Sequence, residues 1–171
     1  MVVLRRTQKL ASALHVSGDA SAHSTTGLGD WYVNRLSVDR RPLLLLVSSL
    51  GLLPILLPAR EVARLPARLP DVVAARLRRL GIGPRIVEAE TQAMSPVIIA
   101  TTADRSVVGI MVDFAKAVPF HLEPGSWDES TLPFVEAKLA ETPCHAGRRF
   151  EEVVFPNRKA PELLDARWGA G

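Results

Sequence analysis

At 171 residues, 47% apolar and 23% charged, the chain has the length and balance of a single globular domain with an ordinary core. Its one cysteine, Cys144, excludes an internal disulfide and cannot alone furnish a thiolate zinc site, which points to a reducing cytoplasm. The net charge of +3 hides an asymmetry: Met1 to Ile86 carries 13 basic and 5 acidic residues, Val87 to Gly171 carries 8 and 13. Such a split marks either a surface for an acidic partner or two halves that face each other.

Arg5, Arg6 and Lys9 are not followed by an unbroken apolar stretch, so a secretory leader is not expected. Val2 to Arg5 reads as a first strand and Thr7 to Leu14 as a short helix with Thr7 as its cap. Ser17 to Gly29 is small, polar and aperiodic, a loop. Trp31 to Val38 has strand composition, with alternation that slips at Asn34 and Arg35 and so predicts a bulge or a short helix there. Asp39-Arg40-Arg41-Pro42 is turn chemistry.

Leu43 to Val47 is a continuous apolar run, which predicts a strand buried on both faces, and Leu52 to Leu57 returns beside it. The run Leu43 to Leu57 is shorter than a membrane span. Pro54 lacks a donor and belongs at an edge or a bulge. Pro66 and Pro70 break the next periodic stretch, leaving Asp71 to Leu80 as a helix. Val73, Leu77 and Leu80 form its stripe, Arg76, Arg78 and Arg79 face elsewhere, and Gly81 and Gly83 stop it. Arg85 to Glu90 reads as another strand.

Pro96 to Thr101 is β-type, and after the breaker Thr101–Asp104 a helix carries Val107, Met111, Phe114 and Val118 on one face. Gly109 within it suggests close packing against a neighbour. Thr131 to Ala140 and Pro161 to Trp168 offer two more helices.

The segments Leu28-Gly29-Asp30-Trp31-Tyr32-x-Asn34, Leu52-Leu53-Pro54, Met94-Ser95-Pro96, Arg105-Ser106-Val107-x-Gly109-x-Met111-x-Asp113-Phe114 and Glu141-Thr142-Pro143-Cys144 occur in that order. Together they resemble a small bacterial domain family of unknown function, over most of the chain up to about Cys144. The resemblance implies a shared fold and carries no activity, substrate or cofactor.

Candidate sites are few. Thr102, Arg105 and Ser106 stand at a strand-to-helix junction, where side chains and open backbone N–H groups can hold a phosphate or carboxylate. The competing reading makes Thr102 or Asp104 a helix cap and pairs Arg105 with a carboxylate such as Asp113 or Glu88. Trp31, Tyr32 and Asn34 suggest an aromatic recognition surface, against a packing role. Cys144-His145 invites a nucleophile, but neighbours in extended chain point to opposite sides. Ser106, Asp113 and His121 lack a nucleophile elbow, and no two histidines have helical ligand spacing. The arginines at 60, 64, 68, 76, 78 and 79 could track a phosphate backbone, or line a solvated helix face.

The expectation is therefore an α+β fold: a mainly antiparallel sheet of about five strands with helices packed on one face, over residues 1–147, followed by an extension over 148–171 with a short helix. The function expected is a non-catalytic cytoplasmic binding or regulatory module for a protein or an anionic ligand, with no catalytic set, metal, cofactor or membrane contact. A nucleic-acid accessory protein using the basic first half is the alternative, and an enzyme of unrecognised type ranks third.

Overall fold

Apolar strand residues on alternate sides of one sheet need cover on both faces, and that requirement organises this molecule. The computed structural model describes residues 1–145 and 153–170. Its main sheet holds β1 (Val2–Arg6), β2 (Trp31–Val38), β3 (Arg41–Ser48), β4 (Pro54–Pro58) and β5 (Val97–Thr101), in the spatial order β4-β3-β2-β1-β5. The expected meander is present, since β2, β3 and β4 pair antiparallel. The sheet as a whole is mixed rather than mainly antiparallel, because β1 runs parallel to both β2 and β5. The connection 7–30 and the helices before β5 are long enough to return the chain in the same direction.

The helices are α1 (Leu65–Arg79), α2 (Pro84–Gln92), α3 (Arg105–Ala117), α4 (Leu132–Ala140) and α5 (Pro156–Trp168). They do not share one face. On one side Leu44, Leu46, Trp31 and Val33 meet Leu69, Val73 and Leu77 of α1, Val87 of α2, and Ala160 and Leu164 of α5. On the other, Tyr32, Leu43, Leu45 and Val47 meet Val107, Met111 and Phe114 of α3 and Leu132, Val135 and Leu139 of α4. A second layer of helices follows from β3, whose leucines alternate between two dry faces. The expected boundary between residues 147 and 148 lies outside the described residues, and α5 beyond it packs into the same core as β1.

Several local expectations need correction. Residues Arg85 to Glu90 belong to α2, not to a strand: Gly83 is an extended N-cap, Pro84 occupies the first turn, and Val87 and Glu90, three apart, are its buried residues. Pro66 and Pro70 do not break α1. Pro66 sits in the first turn, where no N–H is needed, and Pro70 lies inside the helix. Arg76 does not face away from the stripe; it is buried between Val73 and Leu77 in sequence and 3% exposed. Gly109 is exposed with nothing within 4 Å of a Cβ built on it, so no close packing explains it. β2 runs through Asn34 and Arg35 with unbroken register, without a bulge. Thr7 precedes only a 3-10 turn (Gln8–Leu10), and its hydroxyl donates to Asn34 Oδ1 at 2.5 Å instead of capping.

Both outer edges of the sheet are met in part by side chains or loop. On β4, Leu56 donates its N–H to Glu136 Oε1 at 2.9 Å, which sets the outward phase at residues 54, 56 and 58. Pro54 and Pro58 have no N–H to offer there, and the Pro54 carbonyl accepts from Arg76 Nε at 2.9 Å. On β5, the Ile99 carbonyl accepts from the N–H groups of Ser17 and Gly18, while its own N–H donates to Ser17 Oγ. Such contacts interrupt the templates on which stray strands pair.

Candidate functional site

After β1 the chain turns to the first face, where Leu10 and Leu14 are buried; after the neighbouring parallel strand β5 it turns to the second, where α3 packs. Two adjacent parallel strands whose connections leave to opposite sides open a crevice at their carboxyl ends, the place where ligands bind in sheets of this type. A recess of about 270 Å³ lies beside the end of β5, formed by the β5–α3 junction and the first turn of α3 and lined by Thr102, Ala103, Asp104, Arg105 and Val108.

The junction that forms the recess is tied to the neighbouring strands. Arg5, 2% exposed, donates to Asp30 Oδ2 at 2.5 Å, to the Thr101 carbonyl at 3.0 Å and to the Ala22 carbonyl at 2.8 Å. Asp30 in turn accepts from Ser24 N–H and Oγ. Beside Arg5 in register, Tyr32 accepts the Asp104 N–H on its hydroxyl at 3.0 Å. Burial pushes the Tyr32 phenol above its ordinary value, against the opposing pull of the backbone N–H groups of Asp104 and Ala103 and the charge of Arg5. The end of β5 and the entrance of α3 are thus tied to β1 and β2 before any ligand arrives.

Asp104 is the N-cap of α3, its Oδ1 accepting from Ser106 N–H at 2.8 Å and from Ser106 Oγ at 2.6 Å. Ser106 therefore serves the cap. Thr102 is half-buried at the rim, and Arg105 is exposed with no ion pair among the described residues, to Asp113 or Glu88 or any other acid. The second group of candidates is placed differently. Trp31 and Tyr32 are buried on opposite faces of the sheet, so neither ring is available for contact, and Asn34 is half-buried at the end of β1.

Cys144 is buried on the α3–α4 side, and burial, with Asp113 adding to it, pushes its thiol up to about 11. Such burial disfavours the thiolate, the nucleophilic form. Four of the six arginines of 60–79 are paired, Arg60 with Glu129, Arg68 with Glu61 at 3.7 Å, and Arg76 and Arg79 with Glu136 at 3.5 and 2.9 Å, while Arg64 and Arg78 are exposed without an ion pair among the described residues. The basic first half and acidic second half do face each other there.

Two buried carboxylates escaped the sequence reading. Glu136, 1% exposed, joins α4 to α1 and to the edge of β4. Glu90, fully buried, accepts from the N–H groups of Gly27 and Leu28 and from Trp168 Nε1, tying α2 to the 27–28 loop and α5. The available signal was an acid inside an apolar helical stripe: Leu132, Val135, Glu136 and Leu139 have stripe spacing, as do Val87 and Glu90. Among the described residues no helix is long and apolar enough to cross a membrane.

No curated protein and no solved structure matches the chain. A family model does, over residues 3–159, in line with the resemblance of the segments from Leu28 to Cys144: the chain belongs to the family described as Domain of unknown function (DUF6933).

Proposed function

We propose that this protein is a non-catalytic binding module that holds a small anion, a phosphate or carboxylate group, in the crevice beyond β1 and β5. Arg105 supplies the charge and the Thr102 hydroxyl a second donor, with Ser106 shaping the helix entrance through the Asp104 cap. The observation that carries this reading is the recess at the β5–α3 junction, at the end of a strand whose chain parts from that of its parallel neighbour β1 to the opposite face. The unpaired guanidinium on its rim gives the sign of the ligand.

Titration with inorganic phosphate, followed by amide NMR, tests it. Saturable shifts at Thr102, Ala103 and Arg105 are expected, with a dissociation constant on the order of 1 mM, the strength of about 4 kcal/mol that a few charge-assisted bonds supply. Arg105→Ala removes the response. Asp104→Asn strengthens it, because the competing negative charge at the α3 entrance is gone while the cap oxygen stays. Absence of any shift at these positions at tens of millimolar phosphate refutes the site.

A further inference from the structure

While the outer edges of β4 and β5 are each met by side chains or loop, a stretch of β2 edge inside the sheet is left open. β1 pairs with β2 only as far as Arg6 opposite Val33, and the chain then turns away through Thr7 into the 8–10 turn. β2 continues to Val38, paired on its other side with β3 all the way. The Val33 carbonyl accepts from Thr7 N–H at 3.1 Å, and the Asp30 carbonyl accepts from Ser49 N–H on the opposite side, so odd-numbered residues of β2 direct their backbone groups toward the β1 side. Beyond Val33 those residues are Arg35 and Ser37, both exposed.

Arg35 N–H is capped by Asn34 Oδ1 at 2.8 Å, an oxygen also held by the Thr7 hydroxyl. The Arg35 carbonyl and the Ser37 N–H and carbonyl have no partner among the described residues. Three backbone groups in strand phase, pre-aligned by β3 behind them, form a short template for an added strand.

The charges around this template decide what fits it. Arg35 and, at the hairpin tip, Arg40 carry no ion pair among the described residues. The one carboxylate of the tip, Asp39, is already spent on the N–H of Gly125 and the indole N–H of Trp127, both at 2.9 Å. A second copy of this chain is disfavoured, since edge-to-edge pairing would bring the two sets of arginines together.

We infer that the edge of β2 at Arg35–Ser37 is a docking site for an extended acidic segment of a partner protein, which lies in the line that β1 vacates. Its backbone takes up the three open groups, and its acidic side chains alternate so that they stand beside Arg35.

The probe is a blocked hexapeptide of alternating Glu and Val, compared with its Lys–Val counterpart and with a Glu–Val version N-methylated on alternate amides. Addition of the acidic peptide to the full chain at ten times its dissociation constant is expected to slow exchange of the Ser37 amide about tenfold and to shift Arg35 and Ser37. The Lys peptide and the N-methylated peptide should do neither. The double variant Arg35→Glu with Arg40→Glu, whose side chains are exposed and leave the ladder intact, should weaken binding by at least about tenfold. Equal binding of acidic and basic peptides overturns the inference, as does undiminished binding of the N-methylated one. Shifts confined to Thr102–Val108 would place the carboxylates in the crevice instead. Concentration-dependent changes at Ser37 without peptide would make the occupant a second copy.

Discussion

Removing the Glu136 carboxylate is expected to cost this protein a fifth or more of its stability. The side chain is 1% exposed and accepts from Leu56 N–H at 2.9 Å and from Arg79 Nη2 at 2.9 Å, with Arg76 Nε at 3.5 Å. Burial pulls the Arg76 guanidinium below its ordinary value and Glu136 pushes it back, so the acid is what keeps a buried cation tolerable. Glu136→Ala orphans a strand N–H, worth about 1–3 kcal/mol, and a guanidinium 3% exposed, for which breaking a buried pair costs about 3–5 kcal/mol. The two losses overlap, so the total is set at about 3–5 kcal/mol, against about 5–15 kcal/mol for a whole domain. In urea, with a slope of about 2 kcal/mol per molar, the midpoint should fall by roughly 2 M with the slope unchanged. Adding Arg76→Met to Glu136→Ala should recover part of the loss, because the stranded charge is replaced by an apolar side chain of similar length. Arg79→Met alone should cost about 1 kcal/mol or less, since that guanidinium is 37% exposed. A Glu136→Ala midpoint within about 0.3 M of the parent, or additive costs for Glu136→Ala and Arg76→Met, would refute the reasoning.

Three further outcomes are expected. Tyr32 is the only tyrosine, so absorbance at alkaline pH reads its phenol alone; it should ionise above the ordinary value of about 10. Stability should hold below that value and fall as pH rises past it, where the unfolded chain releases the proton first, and a midpoint at or below 10 in the folded protein contradicts the burial argument. Gly18→Ala would place a Cβ 2.1 Å from Ile98 Cγ2, a branch fixed to the strand, and should lower stability by about 1–3 kcal/mol in thermal melts, relieved in the Ile98→Ala background. Cys144, with its thiol pushed up to about 11, should react with iodoacetamide at pH 8 more slowly than a model thiol, and reaction at the model rate would show the thiol to be accessible.

The parts of the fold legible in the sequence were those fixed by local pattern. Leu43–Val47 announced a strand dry on both sides, Pro54 an edge, and Val107, Met111, Phe114 and Val118 a helix stripe, and all four valine, methionine and phenylalanine positions are buried in one cluster. What the pattern does not carry is direction. Whether β1 meets β2 and β5 parallel or antiparallel depends on where connections of unpatterned residues return the chain, and the same unreadable choice put helices on both faces. Residues 84–92 misled because Val87-Glu88-Ala89-Glu90 alternates apolar and polar with strand period while Gly83-Pro84 ahead of it starts a helix; there the entry signal outweighed the alternation. The junction at Thr102–Ser106 was visible as strand, breaker and helix, but the bonds of Arg5, Asp30 and Tyr32 that tie it in place join three distant segments and leave no mark at any one of them.

Charge, not fold, links the two proposed surfaces. The excess of arginine in the first half looks in sequence like a broad basic face, yet Arg60, Arg68, Arg76 and Arg79 are consumed by Glu129, Glu61 and Glu136, and Arg5 by Asp30. An exposed pair is worth little to stability, but it cancels the far field of its cation. Arg64 and Arg78 also stay without an acid, on α1 and its approach, but at the open edge and the crevice it is Arg35, Arg40 and Arg105 that set the sign of what approaches, each within reach of polar groups that a ligand can pair. Binding at both places should therefore weaken as salt rises across the range where the Debye length falls from about 30 to about 8 Å. Binding indifferent to salt at either place would mean that backbone or apolar contacts, rather than these arginines, select the ligand.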